Sequence, residues 1–555
     1  MKFGRYLRYK PIVMRYPILY LTVLLTLLSY NSSLTAQSWD LKQKLGSSDQ
    51  APADNLGISV AISDSFMIAG AWWEEGEDGT NAPINSAGSA YIYRLGTNGE
   101  WTEVQKLVSP DREALGYFGF YVAIDGGFIL VGAFNEDHSG VGNAGRVYAY
   151  HLSPNDEWVL DDSLMVNDPG NNANFGRNLS LGGSYALIGA DNEDTDATGG
   201  NSLTDAGAAY LFKRQPDNTY VQISKLVPAD REAGDHFGKY VDIDETGVII
   251  GAFKKGGGIG LLESGVAYAA YCAACNFDNL NSSVLRKIVP GDQNSFEAFG
   301  WDVAISGQWA VIGKSSESDQ PGGGTGSNTG AAYFYHWENN QWVEKQKVYA
   351  SDVSTGAHFG RAVAMDGPVA VIGAGNEWED ANGQNPVNGA GAAYVFELQG
   401  NNQWLAVEKI AGTRRGINDL FGEDAVDVSG SNVVVGAWLQ DTITNVEVID
   451  GGAIYIFQRD NPVSIADPVE KNDLVTILNN PSADGLLSLR YTDRSSTLSA
   501  DMVRIISLDG QLLFQQENFF GDEGSMDMSR LSPGMYLVQV SRDGYLPQTL
   551  KWIRL

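Results

Sequence analysis

A Phe-Gly pair recurs about every sixty residues, ending at Gly119, Gly176, Gly238, Gly300, Gly360 and Gly422, with a Leu56-Gly57 variant one interval ahead. Each pair leads into an alternating apolar run, a small-residue Val-Gly-Ala step and a run of the Gly-Ala-Ala-Tyr kind. These are seven copies of one unit. A unit this short cannot bury the faces of its own strands, so the repeat confines the fold to a propeller, solenoid or array.

The sixth copy shows what one unit builds. Apolar runs at 362–365, 369–374, 391–396 and 404–410 are separated by Asp366-Gly367, an acidic loop and a polar turn. Asp-Gly between two alternating runs is a two-residue hairpin signal, so each copy reads as a four-stranded antiparallel meander. Glycine after the Phe lets backbones approach at the crowded inner end of a blade, and the Phe supplies apolar area between blades. The fold class is therefore all-β, a seven-bladed β-propeller over residues 37–459. Its 555-residue length is no obstacle, because a propeller distributes its core between blades.

Ring closure is also legible. Six copies end in a fourth strand, clearest as Trp101 to Leu107, but after Phe457 the seventh passes directly to Gln458, Arg459, Asp460, Asn461 and Pro462. Trp39 to Leu45 has the same Trp-to-Lys-Leu spacing and precedes the first copy. The N-terminal segment is predicted to pair with the strand around 454–457, joining two edges that would otherwise invite aggregation.

On these motifs, including Phe118-Gly119 with 122–125 and 130–133 and Phe359-Gly360 with 371–374 and 391–396, the chain resembles the FG-GAP repeat family, also seen in integrin α-chain heads. The resemblance implies a seven-bladed propeller and, by analogy, an extracellular binding or adhesion role. One family feature does not carry over. Integrin-type repeats hold calcium in an Asp-x-Asp-x-Asp-Gly loop between the first and second strands, whereas here that connection is Asp125-Gly126-Gly127, Ser306-Gly307-Gln308 or Asp366-Gly367-Pro368. So short a turn cannot supply the six to eight oxygens calcium takes.

In a four-stranded meander the first-to-second and third-to-fourth turns share one end, read here as uniformly tight. The longer second-to-third and interblade loops share the other, where function on a rigid scaffold usually resides. That face carries Glu74 to Asp78, Asn135 to Ser139, Asp191 to Asp196, Ser315 to Asp319 and Asn376 to Asn382. Asn192, Asp194 and Asp196 place oxygens at alternate positions, a candidate Ca2+ loop that lacks an evident bidentate acid at position twelve; the alternative is a solvated acidic loop. Asp111-Arg112-Glu113 and Asp230-Arg231-Glu232 read as ion pairs and turns. The five histidines form no metal-spaced pair, and no nucleophile elbow or phosphate loop is present. Two of them, His236 and His358, directly precede Phe-Gly.

The net charge of -31 argues against nucleic acid as partner, since an acidic surface repels phosphate. The opening segment has basic residues, an apolar run at 18–28 and then 31–36, which reads as a secretory signal peptide (1–36) cleaved between Ala36 and Gln37. No other apolar run approaches a membrane span. Cys272 and Cys275 fall where other copies place the third-to-fourth turn. A disulfide across that hairpin suits an exported chain better than redox catalysis or zinc, which need a helix start or two further ligands.

Past Asp460 the repeat stops, with Pro462 and Pro468 marking a linker (460–472) before alternating runs and turn residues that predict a small β-sandwich (473–555). Asn480-Pro481 with Gly485, 503–510, and Leu531-Ser-Pro-Gly-Met-Tyr-Leu-Val538 resemble the C-terminal sorting domain of the type IX secretion system of Bacteroidota. The resemblance implies handling by that machinery, with the propeller then anchored to surface lipopolysaccharide or released. The expectation is an extracellular or surface protein that binds a glycan or protein through its loop-rich face; a polysaccharide-degrading enzyme and a structural surface-layer component are the alternatives.

Overall fold

The computed structural model describes residues 38–459, apart from 78–82, 139, 259, 273–276, 319–326, 353 and 444–446, together with strands between 475 and 554. The chain divides into two compact units after Asp460. Seven four-stranded antiparallel sheets make up the first. In the sixth, Val363–Asp366, Val369–Ala374, Ala392–Leu398 and Trp404–Ile410 pair in that order from the inside outward. The seven first strands, from Val60 in the first blade to Val426 in the seventh, line one axial cavity of about 420 Å³.

Trp39–Leu45 closes the ring. It pairs antiparallel with Ala453–Arg459, placing Trp39 opposite Arg459 and Leu45 opposite Ile454. Its register slips between Leu41 and Gln43; the outer strand of the sixth blade slips opposite Val395 and Phe396, so the N-terminal strand reproduces a blade's own bulge. It also makes the contacts of an outer strand on both sides. The Trp39 N–H donates to Glu408 of the sixth blade at 2.6 Å. Gln43 clamps Trp101 of the first blade, accepting from its N–H at 2.8 Å and donating to its carbonyl at 2.9 Å. Gln105 holds Trp158 and Gln346 holds Trp404 in the same way.

The blades meet at glycines. A Cβ on the middle glycine of each second strand would lie only 1.7–2.2 Å from the carbonyl oxygen of the next Phe-Gly glycine. The contact occurs at all seven joints, including Gly436 against Gly57 across the closure, so the repeated Gly in Val-Gly-Ala is the condition for blades to touch. The Phe rings are buried and pack edge-on or tilted against the third-strand Tyr of their own blade, as in Phe359–Tyr394 at 5.4 Å and Phe421–Tyr455 at 5.3 Å.

At the tight-turn end, the polar residue that opens each hairpin holds the next blade. Ser63 accepts from the N–H of Gly126, Asp125 from Gly183, Asp244 from Gly307, Ser306 from Gly367, and Asp366 from Gly430, at 2.6–2.9 Å. Ser429 closes the belt on Asp64 at 3.3 Å. Only the third blade, with Gly182 at this position, has no side chain to offer.

One expectation fails in the fourth blade, whose third-to-fourth connection is not tight. It runs from Cys272 through two short 3-10 turns, Phe277–Asn279 and Ser282–Val284, to the three-residue strand Arg286–Ile288. In the other blades the outer strand begins with an aromatic residue at or next to its first position, Tyr220 in the third and Trp in the rest, and Trp158 packs on Phe66 of the preceding blade at 5.4 Å. Here the outer strand lacks that aromatic residue, and Phe277 takes the place by packing on Tyr185 at 5.3 Å. Cys272 is not a free thiol, while Cys275 lies outside the described residues, as do Ala36 and Gln37.

The second unit holds two antiparallel sheets. One joins Val475–Ile477, Leu486–Tyr491 and Glu523–Asp527; the other joins Leu512–Glu517, Asp501–Ile506, Gly534–Arg542 and Gln548–Arg554 in that order. Val503, Ile505, Tyr536 and Val538 are buried. Among the described residues no helix is long and apolar enough to cross a membrane.

Candidate functional site

Chain direction places the residue after each Phe-Gly at the rim of the axial channel on the loop-rich face. At this position the copies stop resembling one another, presenting Phe120, Arg177, Lys239, Trp301, Arg361 and Glu423. Five of these, with Tyr121, Tyr240, Phe253 and Asp424 among their neighbours, line a second cavity of about 220 Å³. Tyr121 belongs to the walls of both cavities and packs on Tyr240 at 6.4 Å, so this pair forms the waist of the channel.

Aromatic surface makes up one side of the mouth. Trp72 packs on Trp73, Tyr117 and Phe120 at 4.6–5.3 Å, and Phe134 joins Phe120 at 4.7 Å. Trp73 is exposed at the outer end of this cluster, so the apolar wall runs from the cavity to the surface. Across the mouth, Trp301 packs edge-on to Phe253 at 4.8 Å.

Charges occupy the remainder. Arg361 lies over the Trp301 ring at 4.7 Å and pairs with Glu423 at 2.7 Å and Asp424 at 3.4 Å. Lys239 lies 3.6 Å from Asp191. Burial pushes the Lys239 ammonium down to about 8 against the pull of Asp191. Asp191 itself is pushed upward by burial, but Lys239 and His236 outweigh that and hold it well below the usual carboxylate range. Burial raises Glu423 to about 7 in spite of Arg361. Some buried polar atoms around the mouth have no hydrogen-bond partner: Arg177 Nε and Trp301 Nε1 in the lining, and Asp191 Oδ1 and Glu423 Oε2 beside it. Such atoms also occur at other joints, on Trp158 and Trp404 for example, but here they face a cavity in which a ligand could meet them.

Below the waist, the inner-strand acids are committed to the fold. Asp302 accepts from the N–H groups of Val303 and Val363, and Asp427 from those of Val428 and Ile62, at 2.7–2.8 Å. Burial nonetheless pushes Asp302 up to about 8 and Asp427 to about 7. Asn178 does the same task in the third blade, accepting from Val241 at 2.7 Å.

The candidate calcium loop is closed by its own hydrogen bonds. Asp194 Oδ1 accepts from the Asp205 N–H at 2.9 Å. Asp196 accepts from Thr198 Oγ1 at 2.7 Å, the Thr198 N–H at 2.8 Å, the Gly200 N–H at 3.1 Å and the Asn201 amide; the Thr198 and Asn201 side chains lead in holding its carboxyl well below the usual range. Asn192 precedes these turns, its N–H donating to Ala173 O at 3.4 Å. The sixth blade repeats the construction, with Asp380 accepting from Asn382, Gln384 and Asn385. Arg231 and Arg415 brace the two loops through paired backbone carbonyls at 2.5–3.0 Å. Thus the Asp-Arg-Glu triplets do form braces and ion pairs: Arg112 bonds Glu74 at 2.7 Å, and Asp230 bonds Lys287 at 2.9 Å.

Among the described residues, one acidic group has metal-like spacing: Asp352, Glu377 and Glu379, with oxygens within 4.8 Å. It belongs to a polar cluster repeated under the crown, in which a third-strand Tyr and an outer-strand Lys bind an Asp and a Glu. Tyr394 and Lys409 do so here, Tyr333 and Lys347 do so on Asp292 and Glu317, and Tyr91 and Lys106 on Asp49, with Lys106 also on Glu74. In the sixth blade the cation at that group is already a lysine.

Sequence reasoning looked to the long loops and passed over the residue after Phe-Gly. The signal was present: six Phe-Gly pairs and one Leu-Gly, followed by side chains that range over Ile, Phe, Arg, Lys, Trp and Glu. A family model described as FG-GAP repeat matches residues 39–93, 101–150, 158–212, 220–271, 283–335 and 342–396, together more than half of the chain. Each match runs from an outer strand to the next blade's third strand, so the sequence unit is offset from the blade by one strand. The first three strands of the seventh blade lie beyond these matches, while its outer strand, Trp39–Leu45, opens the first of them. A model described as secretion system C-terminal sorting domain matches residues 478–553. No curated protein matches the chain.

Proposed function

This chain belongs to the FG-GAP repeat family, and we propose that its propeller, exported by way of the type IX sorting domain behind it, is a binding module that seats the end of a glycan in the axial mouth. The observation that carries this reading is the cavity at the loop-rich rim, where aromatic faces, cations and carboxylates converge and buried polar atoms have no protein partner. Sugars offer apolar C–H faces and hydroxyls that both donate and accept, which such a lining complements. At about 220 Å³ the cavity is smaller than the roughly 300–1,000 Å³ of drug-sized sites. It therefore takes one terminal unit, and the rest of the ligand crosses the crown past Trp73.

Binding is favoured over hydrolysis or lysis by the state of the acids. An enzyme of that kind needs carboxylates with open oxygens converging on one point. Asp302 has both oxygens engaged by backbone N–H groups, and the two acids at the mouth that keep an open oxygen, Glu423 and Asp191, are each held by a separate cation, Arg361 and Lys239. We also infer that seating is independent of calcium, because Asp196 is satisfied within its own loop. A glycan array probed with the purified chain, with and without chelator, tests the reading. Retained binding in chelator and its loss in Trp301→Ala are expected; binding that survives Trp301→Ala and Phe120→Ala together would remove the mouth from consideration.

A further inference from the structure

The charge at the mouth runs against the rest of the molecule. The chain carries -31 overall, yet here the cations Arg177, Lys239 and Arg361 balance Asp424 in the lining and Asp191 and Glu423 beside it. Two of the cations are accounted for: Arg361 is held by Glu423 and Asp424, and Lys239 faces Asp191. Arg177 is only partly so. Asp191 lies near enough to feel its charge, but among the described residues its side chain forms no ion pair within 4 Å and no hydrogen bond. Its guanidinium lies over the rings of Phe134 and Phe120 at 5.3 and 5.7 Å, and its Nε is buried without a partner.

A guanidinium with no hydrogen-bonded partner in a partly dry site is costly, and the group that completes it best is a planar anion able to take two parallel N–H bonds. The surrounding acids narrow the choice. Asp191, Glu423 and Asp424 would repel a doubly charged phosphate more than a monoanion, and their free oxygens are suited to accept from hydroxyls. Trp301 and Phe120 stand across the mouth as apolar faces for a ring.

Resting on the mouth as the binding site, we propose that its ligand is an acidic sugar whose carboxylate is held by Arg177, with Lys239 as the second positive charge and Asp424 accepting a ring hydroxyl. Arg177 is then the residue that separates acidic from neutral sugars, and the aromatic pair binds both.

The test uses the full chain and saturation-transfer NMR followed by calorimetry. The probes are D-glucuronate, D-galacturonate and N-acetylneuraminate, their methyl esters, and glucose 6-phosphate. At least one acid is expected to bind tenfold or more tightly than its ester. Arg177→Gln, folded by its unchanged melting profile, is expected to bring the acid to the level of the ester, with partial recovery in Arg177→Lys. Trp301→Ala is expected to weaken acid and ester alike. Equal affinity for acid and ester, tighter binding of the phosphate, or an Arg177→Gln variant that still prefers the acid would each overturn the carboxylate assignment while leaving the mouth in place. Absence of binding by every probe, with array binding indifferent to Trp301→Ala, would overturn both.

Discussion

The two ends of one axial channel are built by the same seven strands, and they use their side chains for opposite purposes. At the tight-turn end, the residue opening each hairpin is Ser or Asp in six of seven blades, and each of those six holds a backbone N–H of its neighbour. At the loop-rich end, the residue after Phe-Gly ranges from Phe120 to Arg177 to Glu423, and polar atoms nearby lack partners. Joining blades is a task that recurs at every joint, so its residues recur. A ligand at the mouth, as proposed above, would be met once, around one axis, which gives its residues no reason to recur.

The largest effect should come from a change that removes the ring on which both ends depend. A chain begun at Gly46 lacks buried Trp39 and the outer strand of the seventh blade, and exposes the edge of Ala453–Arg459. Losses of this size exceed the roughly 0.5–3 kcal/mol of ordinary single changes, so we expect a melting temperature lower by roughly 10 °C or more and self-association at the bared edge. Calorimetry and size-exclusion chromatography check it. An unchanged melting profile would mean that the two ends stand without closure.

Much of this was open to sequence reasoning, because joint chemistry repeats. Blade number, strand order and the pairing of Trp39–Leu45 with Ala453–Arg459 follow from spacing and from one missing strand. The belt at the tight turns was visible only as Asp-Gly hairpin signals; that Asp125 or Asp366 reaches the next blade depends on how closely the blades sit, which the glycines determine in three dimensions. The fourth blade departed because Phe277 replaces a Trp from a different place in the chain. The mouth escaped notice because its residues are contiguous only around the axis, some sixty residues apart in sequence.

The channel wall just below the waist should titrate. Asp302 is raised to about 8 by burial, above the roughly 4 of an unfolded carboxyl. Between these values the native state holds a proton that the unfolded chain has lost, so stability falls as pH rises from about 4 to about 8, by at most about 1.4 kcal/mol per pH unit for one group. Asn178 shows that an amide can make the cross-blade bond. Asp302→Asn is therefore expected to fold and to flatten the dependence between pH 5 and 8, leaving a residue from Asp242 and Asp427, raised to about 6 and 7. Denaturant melts across that range are the measurement, and an unaltered slope would place the titration elsewhere.

A single cap at the tight-turn end is a smaller matter. Asp366→Ala frees the Gly430 N–H, bonded at 2.7 Å, and is expected to lower stability by about 1 kcal/mol without altering ligand binding. The third blade, which has Gly182 in place of a cap, shows that one open joint is tolerated. A change in binding would mean that the ends are coupled through the waist.

The smallest effect tests the loop-rich end against its own strain. Three residues before each Phe-Gly glycine's Phe, the backbone is left-handed at every joint; Gly234 and Gly356 suit it, but Phe296 holds φ 66° with its side chain 60% exposed. A left-handed non-glycine residue costs roughly 1–2 kcal/mol, and glycine returns roughly 0.5–1 of that through the entropy of the unfolded chain. Phe296→Gly is thus expected to be more stable by about 0.5 kcal/mol, a gain readable in denaturant melts. A loss of 1 kcal/mol or more would instead make Phe296 a packing residue, and the loop-rich end would then resemble the tight-turn end in serving the fold.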